Sequence, residues 1–206
     1  MLEVITPATT FDLTTIDAVN AELGLEGNTG TDGLIGGYIA SASDSIARYC
    51  KRILVAQEYA ETFYTNTCKN ELLLREYPVA EIASIEENGV PLADDAFKVN
   101  ADTGAVIRRR NGDIAWWPDA STIIVTYTAG HGEGTGLPSL PPSIERAAIL
   151  LSCMAYRSRR RDPAIRTATH TDTSVTFGPG PFANGEGGLP PEIVALLKPH
   201  KDFRVR

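Results

Sequence analysis

The residues with chemical potential are few and scattered. Gly130-His131-Gly132-Glu133-Gly134-Thr135-Gly136 has the glycine density of a phosphate-cradling loop. It lacks the GxGxxG register and the GK[ST] ending, and it runs into Pro-rich chain instead of a helix whose N–H groups would face an anion. His131, His170 and His200 stand far apart, with no HExxH and no cysteine beside them, so no zinc site is expected. Asp94 and Asp95 sit next to a turn, where paired acids more often solvate than exchange protons. There is no GxSxG elbow. Cys153 lies inside an apolar run and reads as a small core residue, not a nucleophile. No catalytic residue, no metal ligand and no cofactor is expected.

The sharpest local feature is basic. Arg157, Arg159, Arg160 and Arg161 follow an apolar run and stop at Asp162-Pro163. Three readings stand: a cationic end to a helix, which favours the dipole; forked pairing with the carboxylates of another subunit; and contact with DNA phosphates. Arg108-Arg109-Arg110 reads as a charged hairpin edge that discourages strand-to-strand aggregation. Trp116-Trp117-Pro118 reads as hydrophobic closure of a β unit or as a small interface patch.

The whole chain narrows these readings. Its 206 residues are 43% hydrophobic and 22% charged, an ordinary globular composition that excludes a wholly disordered chain. The net charge of −7 argues against a general nucleic-acid binder, which needs clustered cations to release counterions. That total hides a gradient: residues 1–50 carry −6, residues 51–145 carry −6 and residues 146–206 carry +5. An acidic front and a basic back suit head-to-tail contact between copies, or an acidic partner for the basic end; simple solvation of both ends is the alternative. Cys50, Cys68 and Cys153 are odd in number and widely spaced, against a disulfide framework and in favour of a reducing cytoplasm. No run approaches the ~18 apolar residues of a membrane span. Residues 1–11 have neither the basic start nor the apolar block of a signal peptide, so none is expected.

The elements follow from periodicity. A short helix is expected from Thr14 or Thr15 to Gly24, on Ile16, Val19 and Leu23. A longer one runs from an Asp32 cap to about Arg52, with Ile35, Tyr38, Ile39, Ala42, Ile46 and Tyr49 on one face. Alternation then predicts short strands over residues 57–64, 71–75, 79–87, 97–99, 105–108 and 122–128, with Asn88-Gly89 a hairpin turn. Such a series forms a small antiparallel sheet or barrel. Pro141-Pro142-Ser143 opens a helix whose residues 144–156 are apolar on nearly every side, the mark of a rod buried all round. Residues 168–188 are rich in Thr, Gly, Pro and Asn, with one strand-like piece at 174–177, and a last short helix covers 193–198. The fold class expected is α+β: a bundle of about four helices (residues 12–54 plus 140–166), a small antiparallel β insertion (55–130), and a flexible segment ending in an extended C-terminal docking arm (167–206).

Several of these pieces, in order, resemble the head–tail connector (adaptor, or head completion) proteins of tailed bacteriophages and gene transfer agents. They are Ile46-Ala47-Arg48-Tyr49-Cys50-Lys51-Arg52; Leu72-Leu73-Leu74-Arg75-Glu76-Tyr77-Pro78-Val79, followed by Ile82, Ile85 and Asn88-Gly89; Ile124-Val125-Thr126-Tyr127-Thr128-Ala129-Gly130; Pro141-Pro142-Ser143-Ile144; Tyr156-Arg157-Ser158-Arg159-Arg160-Arg161-Asp162-Pro163; and Leu189-Pro190-Pro191-Glu192-Ile193. The resemblance spans roughly residues 14–200. It implies a structural virion protein at the neck, made in the bacterial cytoplasm. It implies a homo-oligomeric ring, commonly twelve-fold, under the portal, extending the DNA channel and joining the head to the tail or to a stopper protein. Genomic DNA would pass through the lumen without sequence-specific binding, which the acidic bulk suits. The partners implied are the chain itself, the portal and the next neck protein, with no membrane. The C-terminal segment becomes the portal-docking candidate, with Ile193, Leu196, Leu197 and Phe203 as apolar anchors beside the arginine cluster. The alternatives from other classes are a phage-encoded enzyme built around His131 and nearby acids, and a monomeric β-type binding module.

Overall fold

The computed structural model describes residues 1–27, 29–132, 137, 139–159, 167–170, 173–176 and 186–202. The chain is α+β, and it divides into one unit formed by Met1–Thr10 with Ile53–Ser139 and another formed by Phe11–Arg52 with Leu140–Arg204.

The first unit is all β. Its larger sheet runs β1 (Leu2–Thr6), β2 (Gln57–Thr65), β9 (Ser121–Ala129), β4 (Val79–Glu87) and β5 (Val90–Pro91), every pair antiparallel. The β2–β9 ladder holds one register from Gln57 opposite Ala129 to Thr65 opposite Ser121. Central β9 shows why: Ser121, Ile123, Val125, Tyr127 and Ala129 all face inward, and the residues between them are half-buried. A one-residue slip would turn that whole set outward. Asn88 and Gly89 have φ of 52° and 79°, the pair of positive values that a two-residue hairpin of the right twist demands. The smaller sheet runs β3 (Glu71–Leu73), β7 (Ala105–Arg110) and β6 (Phe97–Asn100), with β8 (Asp113–Ile114) also on β7. Both sheets feed one core of Tyr59, Leu72, Leu74, Val79, Ile85, Val106, Trp117, Ile123, Val125, Tyr127 and Ala129. Gly130 closes the unit at φ 116°, so near the chain at Val55 that a Cβ would meet the Val55 carbonyl oxygen at 2.6 Å. Only glycine fits there.

The second unit is built on helices. In α1 (Ile16–Leu23), the Thr15 hydroxyl accepts the Ala18 N–H at 3.2 Å, and Gly24 closes the helix in the left-handed region. In α2 (Asp32–Cys50), Ile35, Ile39, Ala42, Ser43, Ile46, Tyr49 and Cys50 are buried along one stripe. Thr31, not Asp32, occupies the cap position, and Asp32 sits in the first turn with its carboxylate accepting from the Asn20 amide at 3.2 Å. α3 (Pro142–Ser158) buries Ile144, Ala147, Ala148, Leu151, Ser152, Cys153, Ala155 and Tyr156. α4 (Pro191–Leu197) buries Ile193 and Leu197. The four helices pack on one another, with α3 touching each of the other three. Two further strands, β10 (Thr167–His170) and β11 (Thr173–Thr176), pair with each other.

Two expectations need adjustment. The arginine run 108–110 is split: Arg108 still pairs with Phe97 of β6, whereas Arg109 and Arg110 pair with β8 alone, at the hairpin end where charge was expected. A strand not foreseen at all, β1, comes from the first residues and joins the β unit.

Candidate interaction surfaces

The arginine cluster divides at the end of α3. Arg157 is exposed in the last turn. Arg159 turns back on the chain: its guanidinium lies 3.5 Å from the centre of the Tyr156 ring and donates to the Tyr156 carbonyl at 2.9 Å. That satisfies an orphan carbonyl of the helix end and is the cationic-cap role. Arg160 and Arg161 lie outside the described residues. Nearby, Arg146 on α3 makes a forked contact with Glu22 on α1, at 2.6 and 3.1 Å. Those bonds, with the charges of Arg146 and Arg157, hold the Glu22 carboxyl below its usual range. Burial raises the Cys153 thiol, which is thus a poor nucleophile, as its place in the apolar helix suggested.

The expected C-terminal anchors separate in the same way. Leu189, Ile193 and Leu197 are fully buried inside the helical unit. Leu196, one turn from Ile193 on α4, is only half-buried, and Phe203 lies outside the described residues. The chain beyond α4 is tied down as well. His200 and Ser143 hydrogen-bond at 2.8 Å, Lys201 lies 4.7 Å from the Tyr49 ring centre, and the Asp202 N–H donates to the Cys50 carbonyl at 2.9 Å. Burial, then the charge of Arg52, holds His200 below its ordinary pKa. Residues 189–202 are therefore folded onto their own helices, and Ile193 and Leu197 are already occupied there.

The β unit carries most of the apolar surface that remains, with Phe11 and Leu34 the exposed large apolar side chains of the helical unit. Trp117 is buried and donates its indole N–H to the Val106 carbonyl at 3.2 Å, with Arg108 above its ring and paired to Glu87 at 2.5 Å. Its neighbour Trp116 points the other way and is 61% exposed. Ile114 and Leu73, on strands that share one side of β7, are exposed too, as are Val4 and Ile5 of β1. Of the Trp116-Trp117 pair, Trp117 supplies the expected closure and Trp116 is left exposed. Sequence reasoning missed β1, although Leu2-Glu3-Val4-Ile5-Thr6 before Pro7 is a legible β-prone run.

Among the described residues no reactive constellation emerges. The His131 ring donates through Nδ1–H to the Ser139 carbonyl at 3.0 Å, a structural use of that side chain. Residues 133–136 of the glycine loop lie outside the described residues. Among the described residues no cluster of His, Cys, Asp and Glu could hold a metal, and no helix is long and apolar enough to cross a membrane. Glu61 is buried between β-unit strands and accepts from the Arg75 N–H at 2.9 Å and the Tyr127 hydroxyl at 3.1 Å. Burial raises both the Glu61 carboxyl and the Tyr127 phenol.

Comparison with known proteins gives a consistent result. Residues 12–203 match a family model described as head completion protein. No curated protein matches. Among solved structures, a chain from the neck of an empty gene transfer agent particle computed with C6 symmetry aligns at 17% identity and TM-score 0.61. A chain from the virion of a native gene transfer agent particle aligns at 18% and 0.60, and one from the neck of a native particle computed with C12 symmetry at 16% and 0.56. Each alignment covers 100% of this chain and 97% of the other.

Proposed function

Because the chain belongs to the head completion protein family, we propose that it is a structural protein of the virion neck, a ring of identical copies that joins the portal to the tail or to the next completion protein. The family match across residues 12–203 carries this reading. The fold shared with neck chains of particles computed with C6 and C12 symmetry supports a cyclic assembly, commonly twelve-fold. In that assembly the helical unit, expected over residues 12–54 with 140–166 and here including α4, is the ring body, and the β unit is an insertion, expected at 55–130, that also recruits the first residues. The lumen continues the DNA channel. An acidic chain suits it, because DNA must slide past without being held by counterion release. No reaction and no cofactor belong to this role.

The basic C-terminal part is the portal-docking surface. Since Ile193 and Leu197 hold α4 on its own bundle, contact falls to Leu196, to Arg157, and to Arg160, Arg161 and Phe203 along the chain. Deleting residues 189–206 would strip three buried apolar side chains and the buried Asp202 from the helical unit, so point changes test docking more cleanly. Sedimentation of the purified chain with portal assemblies is expected to bring it down with them. Leu196→Asp combined with removal of residues 203–206 is expected to abolish co-sedimentation while leaving the circular dichroism of the helices unchanged. Undiminished association of that variant would remove the docking assignment. Failure of the unaltered chain to associate with portals, alone or in particles, would remove the proposed function.

A further inference from the structure

The β unit ends in an open strand edge. Met1 and Thr62 exchange both main-chain hydrogen bonds, at 2.6 and 2.7 Å. In an antiparallel ladder such pairs alternate, so Glu3 faces Ala60 in the next bonded pair. The N–H and C=O groups of Leu2 and Val4 therefore point away from β2, and among the described residues no strand lies on that side. An edge like this normally carries a lysine, an internal proline or a cover. β1 has no lysine and no internal proline, and among the described residues no strand covers it; its irregularity is the register shift between Val4 and Thr6, and Val4 and Ile5 are 42% and 49% exposed.

The other half of the fit is in the same chain. β10 and β11 form a two-stranded sheet that, among the described residues, pairs with no third strand. An isolated pair of strands is marginal in water, and a third strand is what stabilises it. The composition, Thr167-Ala168-Thr169-His170 and Thr173-Ser174-Val175-Thr176, is strongly β-prone.

We propose that the β10–β11 pair of one copy adds to the β1 edge of the next, extending its sheet across the subunit boundary. This inference rests on the ring reading above and names the surfaces that close the ring. Three observations select a second copy as the occupant. Donor and acceptor are different surfaces of one chain, which is the head-to-tail arrangement that generates rings. The unit that carries β1 is acidic, with 14 acidic and 6 basic residues over 1–10 and 53–139, while residues 146–206 carry +5, so the acceptor unit attracts the donor segment. Main-chain pairing also needs no particular side chains from the donor, which suits a strand of small polar residues.

The test is trapping in assembled particles, in a Cys68→Ser background that removes the exposed native thiol. Val4→Cys is combined in turn with a cysteine at each residue of Thr167–His170 and of Thr173–Thr176, so that addition through either strand is caught. Oxidation is expected to give, for at least one pair, a ladder of covalent multimers of this chain. The same pair split between two chains and mixed is expected to give covalent dimers. A disulfide within one chain, a disulfide to a different particle protein, or no disulfide at any of the eight positions would overturn the inference. A second readout uses the unaltered chain. The amides of residues 2–6 and 167–176 are expected to exchange at least tenfold more slowly in the ring than in the free chain, and unchanged exchange would contradict strand addition. Rings that form without these cross-links sink this inference and leave the connector role standing. An absence of rings in particles sinks both.

Discussion

The two units treat their apolar residues in opposite ways. The helical unit looks, in sequence, like the one with spare hydrophobic surface: an apolar rod at 144–156 and an amphipathic end at 189–197. Folded, it spends both, with Ile144, Leu151, Leu189, Ile193 and Leu197 fully buried, and it shows charge at Glu22, Arg146 and Arg157. The β unit looks self-sufficient, with every long strand alternating, yet it leaves Trp116, Ile114, Leu73, Val4 and Ile5 exposed. Amphipathic patterning says that a face will be covered; it does not say whether the cover is the same chain or another. The β unit's open edge, not the helical unit's apolar end, is where the structure leaves main-chain pairing to be completed.

Tryptophan gives the largest expected effect. Trp117→Ala removes the largest fully buried side chain of the β unit, and large-to-small changes of this kind cost about 3–5 kcal/mol. Trp116→Ala should stay within about 0.5 kcal/mol, the usual range for a surface change. Urea unfolding followed by far-ultraviolet circular dichroism compares them, and equal losses would mean that both rings are core.

Next comes α4. Ile193→Ala should cost about 2–5 kcal/mol of helical-unit stability if that side chain belongs to its own bundle. A stable Ile193→Ala that fails only to join the portal would reverse the contrast drawn here and return Ile193 to the docking surface.

A smaller effect concerns pH. The Glu61 carboxyl is raised by burial, so the folded chain binds its proton more tightly than the unfolded chain does. Its contribution is greatest below the ordinary glutamate pKa and is lost as pH rises through the raised one. Glu61→Gln keeps acceptors for the Tyr127 hydroxyl and the Arg75 N–H without the charge. The variant's stability relative to the unaltered chain should therefore climb across that window and then level off. Denaturation midpoints measured from acid to neutral pH give the difference; one that falls with rising pH would contradict the assignment.

The slightest change is chemical labelling. A thiol reagent at neutral pH should modify Cys68 in the folded chain and spare Cys50 and Cys153, which are buried, with the Cys50 thiol pushed up to about 11. Fast labelling of all three without denaturant would mean that the helical unit opens readily.

Much of this was legible in the residues. Period and punctuation place the four helices and the long strands, because a buried stripe at three- and four-residue spacing and a buried alternation leave different marks. Thr15, Gly24 and Asn88-Gly89 are local devices whose chemistry acts over a few residues, so they too can be read directly. What escaped depends on distant partners. β1 is short and pairs with a strand more than fifty residues away, so nothing beside it announces the sheet. Arg108-Arg109-Arg110 suggested an edge because charge is common there, but Arg108 is paired to Glu87 and rests on Trp117, which only the assembled sheet brings near. Ile193 and Leu197 had the spacing of a docking helix, and that spacing is the same whether the groove lies on a partner or on α2 and α3.

The central claim is that this chain serves as a repeated structural element of a particle neck. Cryo-electron microscopy of intact particles, with cyclic averaging at the vertex through which the genome leaves, tests it most directly. The account predicts a closed ring of copies between the portal and the tail, into which both units fit. A neck fully explained by other proteins, with no density for this fold at that vertex, would contradict it.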